Sequence, residues 1–348
     1  MASVGSQVWH WLSSNATGDV LVAGETAEGT QPGRLRLSTD AGKTWTTPAD
    51  LPAGVWISSD LSADGSRIVA VQFQGGMYLS TDRGATWKQV TAAQVERTGG
   101  FKFESVTMSR DGMRLAATVR DSSDTQPGPA VGDGYLVLSN DGGTTWTRAT
   151  LPATTQPKVM RAVDSSADGQ VIVAVSQGGD VFRSADAGAT FTLVPVVVGT
   201  PAVATSENWY RVKTSADGKT IAVAANSIET TGTGGTGIYV SRDGGTTWTK
   251  GLDRRGDYTA IAMSDDGATI AATISNPNPN NTTLTTPGQV VRSIDAGATF
   301  QPLTMPAGTT DWRAIAMSSD ADRLAVAAGF YLTREAGPLY LSSGNRAQ

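Results

Sequence analysis

Six aspartates stand in the same eight-residue context, Ser-x-Asp-x-Gly-x-Thr followed by Trp or Phe. They are Asp40, Asp82, Asp141, Asp186, Asp243 and Asp295. A carboxylate in a fixed context can act as a general acid or base, or bind a cation. It can also accept backbone N–H groups inside a turn, where the following Gly supplies a positive φ. Because the context is the same in all six copies, we expect these aspartates to be structural.

His10 is the only histidine, and the chain contains no Cys. The lack of Cys excludes disulfides, thiolate metal sites and a Cys nucleophile. A Ser-His-Asp triad would have to use His10, yet no Gly-x-Ser-x-Gly turn occurs in the chain. A histidine metal site would need further His ligands. We therefore expect no cofactor and no metal site, and leave open a calcium site made of oxygen ligands.

A second signature, Ser-x-Asp-Gly, precedes each box and supplies the alignment for the other candidates. It occurs at residues 62–65, 109–112, 166–169, 215–218 and 264–267, with degenerate copies at 15–18 and 318–321. Aligning these copies puts one large side chain at the start of the preceding strand in each repeat. This column consists of Trp9, Trp56, Phe103, Met160, Trp209, Tyr258 and Trp312. Such a column can stack on sugar rings, or it can pack between neighbouring repeats.

Polar residues beside this column differ from repeat to repeat, so they are the better candidates for a ligand site. The predicted ligand-binding set is Trp9, Trp11, Trp56, Arg161, Trp209, Tyr210, Arg211, Tyr258, Trp312 and Arg313. Arg161, Arg211 and Arg313 are expected to form a cationic cluster, since a guanidinium suits bidentate recognition of a carboxylate. The alternative is that each arginine pairs separately with a nearby acid.

Glu104 and Asp257 are the candidates for hydrolysis. Glycosidases place two carboxylates about 5 to 10 Å apart across the scissile bond. These two residues fall in the third and sixth repeats, which would lie across a ring from each other. We therefore assign no catalytic residue, and name this pair only for the case of a glycosidase.

The boxes must be positioned by short strands. They are spaced 42 to 59 residues apart, a period that fits a four-stranded β-propeller blade. In the second repeat, residues 56–61, 67–73 and 77–79 are predicted strands, and a fourth begins at Thr86. Each box would close the hairpin between strands three and four. The sequence thus predicts an all-β, seven-bladed propeller of four-stranded antiparallel blades, forming one domain over residues 1–348.

The seventh repeat contains only a partial box, which starts at Ser342. Because a fourth strand does not follow it, we expect residues 2–7 to complete the last blade. Closure of this kind removes the free edge that an open array of blades would leave.

These boxes and turns make the chain resemble Asp-box (BNR) repeat propellers over essentially its full length. That family includes sialidases, xyloglucanases, sortilin-like receptors and photosystem II assembly factors. The resemblance implies that the boxes lie on the face opposite the ligand site, and it favours a secreted or periplasmic location. The sialidase Arg-Ile-Pro motif is absent, and the three arginines do not fall in the sialidase order.

Composition narrows the possible partners. The net charge is −5 and only 17% of residues are charged, which argues against a nucleic-acid partner because phosphate contacts need clustered Lys and Arg. No apolar run approaches the length of a membrane-spanning helix, so we expect no membrane insertion. The oligomeric state stays open.

The preferred interpretation is a non-enzymatic recognition module that binds a glycan or a protein segment on its loop face. A sialidase-like or xyloglucanase-like glycoside hydrolase and an assembly or scaffold factor remain alternatives. The long loops at residues 25–33, 120–134, 226–237, 275–288 and 330–337 are expected to contribute to this face.

Overall fold

The structure is a computed structural model. It describes residues 2–25, 32–91, 102–120, 134–153, 159–199, 203–205, 207–226, 237–254, 256–275, 288–306, 311–330 and 335–343. Most of the residues of the five long loops named above lie outside the described residues. The predicted loop 330–337 is shorter than expected, because β28 extends to Phe330 and β29 begins at Glu335.

Twenty-nine β-strands are described, and no helix is found among these residues. Runs of Val, Ile, Ala and Leu bounded by Gly- and Asp-containing turns favour short buried strands over helices. The strands are β1 (Ala2–Gln7), β2 (Trp9–Ser14), β3 (Leu21–Glu25), β4 (Leu35–Ser38), β5 (Trp56–Leu61), β6 (Ile68–Gln72), β7 (Met77–Ser80), β8 (Lys88–Gln89), β9 (Lys102–Met108), β10 (Leu115–Arg120), β11 (Tyr135–Ser139), β12 (Thr147–Arg148), β13 (Val159–Ser165), β14 (Ile172–Gln177), β15 (Val181–Ser184), β16 (Thr192–Leu193), β17 (Val196–Val198), β18 (Val203–Thr205), β19 (Trp209–Thr214), β20 (Ile221–Ala225), β21 (Gly237–Ser241), β22 (Thr249–Asp253), β23 (Asp257–Met263), β24 (Ile270–Ser275), β25 (Gln289–Ser293), β26 (Gln301–Pro302), β27 (Trp312–Met317), β28 (Arg323–Phe330) and β29 (Glu335–Ser343).

These strands form seven antiparallel blades, as the repeat predicts, together with a separate hairpin, β17–β18. Six blades have four strands, and blade one has three, β2–β3–β4. In blade one the fourth strand is reduced to a single bridge between Leu37 and Thr46. Pro48 follows shortly after, and its lack of an N–H group prevents further ladder bonds there.

The last blade combines both ends of the described chain. β1 pairs antiparallel with β29, with Ala2 opposite Leu341 and Gln7 opposite Gly337. The strand order in this blade is β1–β29–β28–β27. The N-terminal strand is therefore the outermost strand of blade seven.

The seven Ser-x-Asp-Gly turns are linked to one another by a closed ring of backbone hydrogen bonds. The second residue of each turn donates its N–H to the carbonyl of the same residue in the next blade, at 2.8 to 3.2 Å. The donors, in order, are Ala16, Ala63, Arg110, Ala167, Ala216, Asp265 and Ser319, and Ser319 donates to Ala16. The ring joins blade seven to blade one independently of β1.

Each turn is held by its own side chains. In the second blade, Ser62 Oγ donates to Asp64 Oδ1 at 2.7 Å, and Ser66 N donates to the same oxygen at 2.9 Å. The fourth residue takes a positive φ, such as +69° at Gly65. This conformation is the reason that glycine is preferred there. Ala321 adopts it in the degenerate seventh copy, at φ 60°.

The Asp-boxes lie on the same face as these turns. In blade three, Gly142 N of the box donates to Met113 O, just beyond the turn, at 2.8 Å. Strand one of a blade ends at its Ser-x-Asp-Gly turn and strand three ends at its box, so both strands run towards this face. Strand one therefore starts at the opposite face. We call the face with the turns the turn face, and the face where strand one starts the loop face.

Seven buried apolar clusters fill the space between adjacent blades. In one of them, Trp56 of blade two packs with Val20, Val22 and Leu35 of blade one. Strand one of each blade lines the axis of the ring. The side chains on strand one are thus shared between the blade interfaces and an axial channel.

Candidate functional site

A β-bulge interrupts strand one in every blade, immediately after the column residue. In blade one, Trp9 pairs with Glu25 and Trp11 pairs with Gly24, so His10 is the extra residue. The other blades repeat this register shift. The seven bulged residues are His10, Ile57, Glu104, Arg161, Tyr210, Thr259 and Arg313. Because a bulge redirects a side chain, this repeated feature sets the residues at the channel mouth.

The column itself does not reach the channel. Trp9, Trp56, Trp209, Tyr258 and Trp312 are between 0% and 5% exposed, and each belongs to a cluster between two blades. Trp209 Nε1 donates to Gly179 O of the preceding blade at 2.9 Å, and Trp9 Nε1 donates to Gly337 O at 2.9 Å. The interfaces need large apolar side chains, so the strand-one aromatics point between blades. These five residues therefore offer no ring face to a ligand, and we leave them out of the proposed site.

Four of the other predicted residues form an alternating row of aromatic rings and guanidinium groups at the channel mouth. The Arg211 guanidinium lies 5.7 Å from the Trp11 ring centroid and 4.0 Å from that of Tyr210. The Arg161 guanidinium also lies 5.7 Å from the Tyr210 ring centroid. We call Trp11, Arg211, Tyr210 and Arg161 the mouth row. It joins blades one, five and four, so it crosses the channel.

The three arginines differ in their counter-ions. Arg161 Nη1 lies 3.5 Å from Glu104 Oε2, and Arg120 Nη2 lies 2.6 Å from Glu104 Oε1. Arg313 Nη2 lies 3.0 Å from Asp311 Oδ2. Arg211 instead donates to the carbonyls of Thr259 and Tyr210, at 2.7 and 3.1 Å. Two of the three arginines are thus paired with acids, as the alternative interpretation of the sequence expected.

The pKa of His10 reflects its burial and the positive charges at the channel mouth. Burial, together with the smaller effects of the Arg211 and Arg313 charges, lowers its pKa from 6.5 to about 3. A neutral imidazole is therefore expected at physiological pH, surrounded by a positive potential.

The two carboxylates proposed for hydrolysis are in different surroundings. Both oxygens of Glu104 form ion pairs with arginines of blades three and four. Asp257 begins β23 in blade six and pairs with Ser275. Glu104 is thus held by ion pairs with residues of blades three and four. The described contacts do not include one between Glu104 and Asp257.

Deeper in the channel lie three charged residues that the sequence analysis did not select. Lys213 Nζ lies 2.6 Å from Asp164 Oδ1, and Asp60 accepts hydrogen bonds from Met108 N and Thr107 Oγ1 at 2.8 and 3.1 Å. Burial raises the pKa of Asp60, and the charge of Lys213 offsets part of that rise. The available signal was an acid inside strand one, at Asp60 in Trp56–Leu61 and at Asp164 in Val159–Ser165.

The carboxylates of the box aspartates accept hydrogen bonds from residues of their own turns. Asp141 accepts from Thr145 Oγ1 at 2.6 Å, from Thr145 N at 2.9 Å and from Ser139 Oγ at 2.8 Å. These hydrogen bonds, led by those of Thr145, lower the pKa of Asp141 to about 2. Within the described ranges, no group of three or more His, Cys, Asp or Glu residues is placed to hold a metal ion. The same residues contain no helix long and apolar enough to cross a membrane.

Comparison with protein families matches residues 239–250, which run from the third strand of blade five through its box, to the BNR/Asp-box repeat. No curated protein matches the chain.

Similar solved structures with TM-scores above 0.5 show the same fold over nearly the whole chain. YCF48 bound to a D1 peptide is 15% identical, with a TM-score of 0.60, over 98% of this chain and 94% of that chain. An oligogalacturonate lyase from Vibrio parahaemolyticus is 8% identical, with a TM-score of 0.63, over 96% and 90%. A GH74 xyloglucanase from Xanthomonas campestris is 17% identical, with a TM-score of 0.48, over 97% and 57%. The chain is thus a seven-bladed β-propeller in which residues 239–250 match the BNR/Asp-box repeat and five other blades contain the same eight-residue box.

Proposed function

We propose that this propeller is a non-enzymatic recognition module that binds a protein segment at the channel mouth, with an acidic group of that segment against Arg211. One observation carries the proposal. The guanidinium of Arg211 lies over two aromatic rings, 5.7 Å from the Trp11 centroid and 4.0 Å from the Tyr210 centroid, and it forms no ion pair with any carboxylate of the described residues.

A partly buried cation without a counter-ion is electrostatically costly, and a bound anion offsets that cost. Carbonyl oxygens from Thr259 and Tyr210 fix the position of the Arg211 guanidinium, so the group is already oriented before a ligand arrives. Preorganisation of this kind reduces the entropy that binding must overcome. The low pKa of His10 supports a positive potential at the same place.

A protein segment suits the mouth better than a glycan. The column rings that would stack on sugars are buried, and Trp11 and Tyr210 each face the Arg211 guanidinium. A protein chain can supply both a carboxylate for Arg211 and backbone groups for the rest of the mouth. The structure of YCF48 with a D1 peptide is consistent with a peptide ligand on this fold, although the likeness concerns the fold alone.

Hydrolysis has less support. A glycosidase needs two carboxylates flanking one bond, whereas both oxygens of Glu104 are held by Arg120 and Arg161.

The test is an array of randomised 12-residue peptides, probed with the wild-type protein and with Trp11→Ala and Arg211→Gln. Arg242→Gln is the matched control, because Arg242 is an exposed arginine of the same blade, at the second position of its box on the turn face. We expect selection of peptides with an Asp, a Glu or a free C-terminal carboxylate. Both mouth variants should weaken binding about tenfold or more, the loss expected for one charged contact.

The control variant should bind as the wild type does. Binding that Arg211→Gln leaves unchanged would contradict the proposal. Hydrolysis of chromogenic glycosides that is abolished by Glu104→Gln or Asp257→Asn would favour a glycosidase instead.

A further inference from the structure

The channel below the mouth row is a small cavity that is obstructed at the turn face. Its volume is about 180 Å³, and its lining runs from Trp11 and Arg211 down to Arg110 and Asp265. The ring of turn hydrogen bonds encircles the lower end. Across that ring, Arg110 of blade three forms an ion pair with Asp265 of blade six. A ligand group is thus expected to enter from the loop face, with no path for a chain to pass through.

The size of the cavity limits what enters. Binding sites for whole small molecules usually have about 300 to 1,000 Å³, more than the 180 Å³ found here. One side chain of a bound protein segment fits this space, and a folded element does not.

The lining is polar and carries both signs of charge. Lys213 projects from blade five, with 31% of its side chain exposed to the channel, and contacts Asp164 of blade four. Asp60 lies in blade two, across the ring from Lys213. Hydroxyl groups complete the lining, and Ser13 Oγ lies 2.6 Å from Ser59 Oγ.

Lys213 has hydrogen-bond donors left for a ligand, and Asp60 has acceptor capacity left. A lysine ammonium has three donors, and one of those on Lys213 is used by Asp164. Asp60 Oδ1 accepts one hydrogen bond, from Leu61 N at 2.9 Å. A carboxylate oxygen has room for about two, so acceptor capacity is left.

The charges select among possible inserted groups. An inserted carboxylate would meet the like charges of Asp60 and Asp164, and an inserted ammonium would compete with Lys213 for these same two carboxylates. An apolar tip would leave these polar groups unsolvated. A carboxamide is neutral and supplies both an acceptor oxygen and N–H donors, which matches what the lining offers.

We propose that the channel is a pocket for one Asn or Gln side chain of the bound segment, with Lys213 donating to the amide oxygen and Asp60 accepting from the amide N–H. This inference rests on the proposed function. It adds a specificity determinant below the mouth row, distinct from the acidic group that Arg211 would bind.

The test uses a peptide that the array identifies as Arg211-dependent, with each position replaced in turn by Gln, Asn, Glu, Lys and Leu. We expect one position where wild-type protein prefers Gln or Asn by about tenfold or more. Lys213→Met should remove that preference without removing the requirement for the acidic group. Lys219→Met is the matched control, because Lys219 is 72% exposed and pairs with Asp217 in a turn.

Lys213→Met leaves the Asp164 carboxylate without its ion pair, which can destabilise the fold. The double variant Lys213→Met, Asp164→Asn removes both charges and should also lose the amide preference, with thermal unfolding as the check on folding. An amide preference that survives in the folded double variant overturns the inference. If peptides bind in an Arg211-dependent manner but show no amide preference, the inference about the amide pocket is wrong and the proposed function stands. If no Arg211-dependent binding is found, the proposed function is wrong as well.

Discussion

Single positions on strand one decide whether a side chain packs or faces the channel. Trp209 is completely buried, and Tyr210, the next residue, lies in the mouth row. Both residues are predicted to belong to the ligand site, because the repeat locates the start of the strand but does not show which way each side chain points. The bulge after Trp209 determines the direction of each side chain. A bulge depends on how two strands pair, so it cannot be read from the sequence of one strand.

His10 should make stability depend on pH. Its pKa is lowered from 6.5 to about 3 by burial and by Arg211 and Arg313, so between these values the unfolded chain binds a proton that the folded chain does not. Stability should therefore fall as pH drops from 6.5 towards 3, by up to about 1.4 kcal/mol per pH unit from this residue. Urea unfolding across that range measures the effect. His10→Gln should flatten the slope, and an unchanged slope in a folded variant would contradict the assignment.

Asp141 should stabilise its blade without taking part in binding. Its hydrogen bonds with Thr145 and Ser139 lower its pKa to about 2, so its contribution is present above pH 3.8 and is lost as pH falls through about 2. Asp141→Asn should lower the unfolding temperature at pH 7 and leave peptide binding intact. Asp50→Asn, at an exposed aspartate, is the control and should change neither. Loss of binding in a folded Asp141→Asn protein would point to a role beyond the turn.

At the scale of the elements, the sequence was most informative where one turn type is repeated. The Ser-x-Asp-Gly turns and the boxes predicted which residues form blade two, and β5, β6 and β7 lie within about a residue of the predicted bounds. Turn chemistry is local, so it can be read from a single sequence. The β17–β18 hairpin and the shortened blade one were not predicted, because both depend on how a segment packs against other strands.

Strand β1 should contribute strongly to stability. Deleting residues 2–7 would expose the edge of β29, with which β1 pairs. We expect a loss of about 1 kcal/mol per backbone hydrogen bond removed and a greater tendency to aggregate through the free edge. Thermal unfolding and light scattering measure the two effects. Deletion of residues 344–348, at the other end of the chain, is the control, and equal stability of both truncated proteins would argue against a structural role for β1.

At the scale of the whole molecule, the mouth exists only because the ring is closed. Trp11 of blade one and Arg211 of blade five meet across the channel, although about 200 residues separate them in the chain. Sequence alignment of the repeats identified both residues as exceptions to the repeat. It could not show that they meet, since that contact depends on the number of blades and on the diameter of the ring.

The closed ring should tolerate new chain ends. Ala2 pairs with Leu341, so a short Gly-Ser linker can join the present ends. A circular permutant opened at residues 276–288, between β24 and β25, should fold to the same ring, because chain breaks in loops are tolerated better than breaks in strands. A permutant opened inside β24 should not. Circular dichroism and Arg211-dependent peptide binding provide the measurements, and failure of the loop permutant to fold would contradict this view of closure.

The bulge in every blade also has a consequence for how such a protein can diversify. Seven backbone sites share one geometry, yet they carry His, Ile, Glu, Arg, Tyr, Thr and Arg. The side chains at these sites contribute to the blade interfaces to different degrees. Ile57 is buried in the cluster between blades two and three, and Thr259 Oγ1 donates to Trp312 O of blade seven at 2.7 Å, whereas Tyr210 is only partly buried. Evolution or a protein engineer can thus vary the partly exposed bulge positions, beginning at Tyr210, and obtain a new recognition surface on an unaltered scaffold.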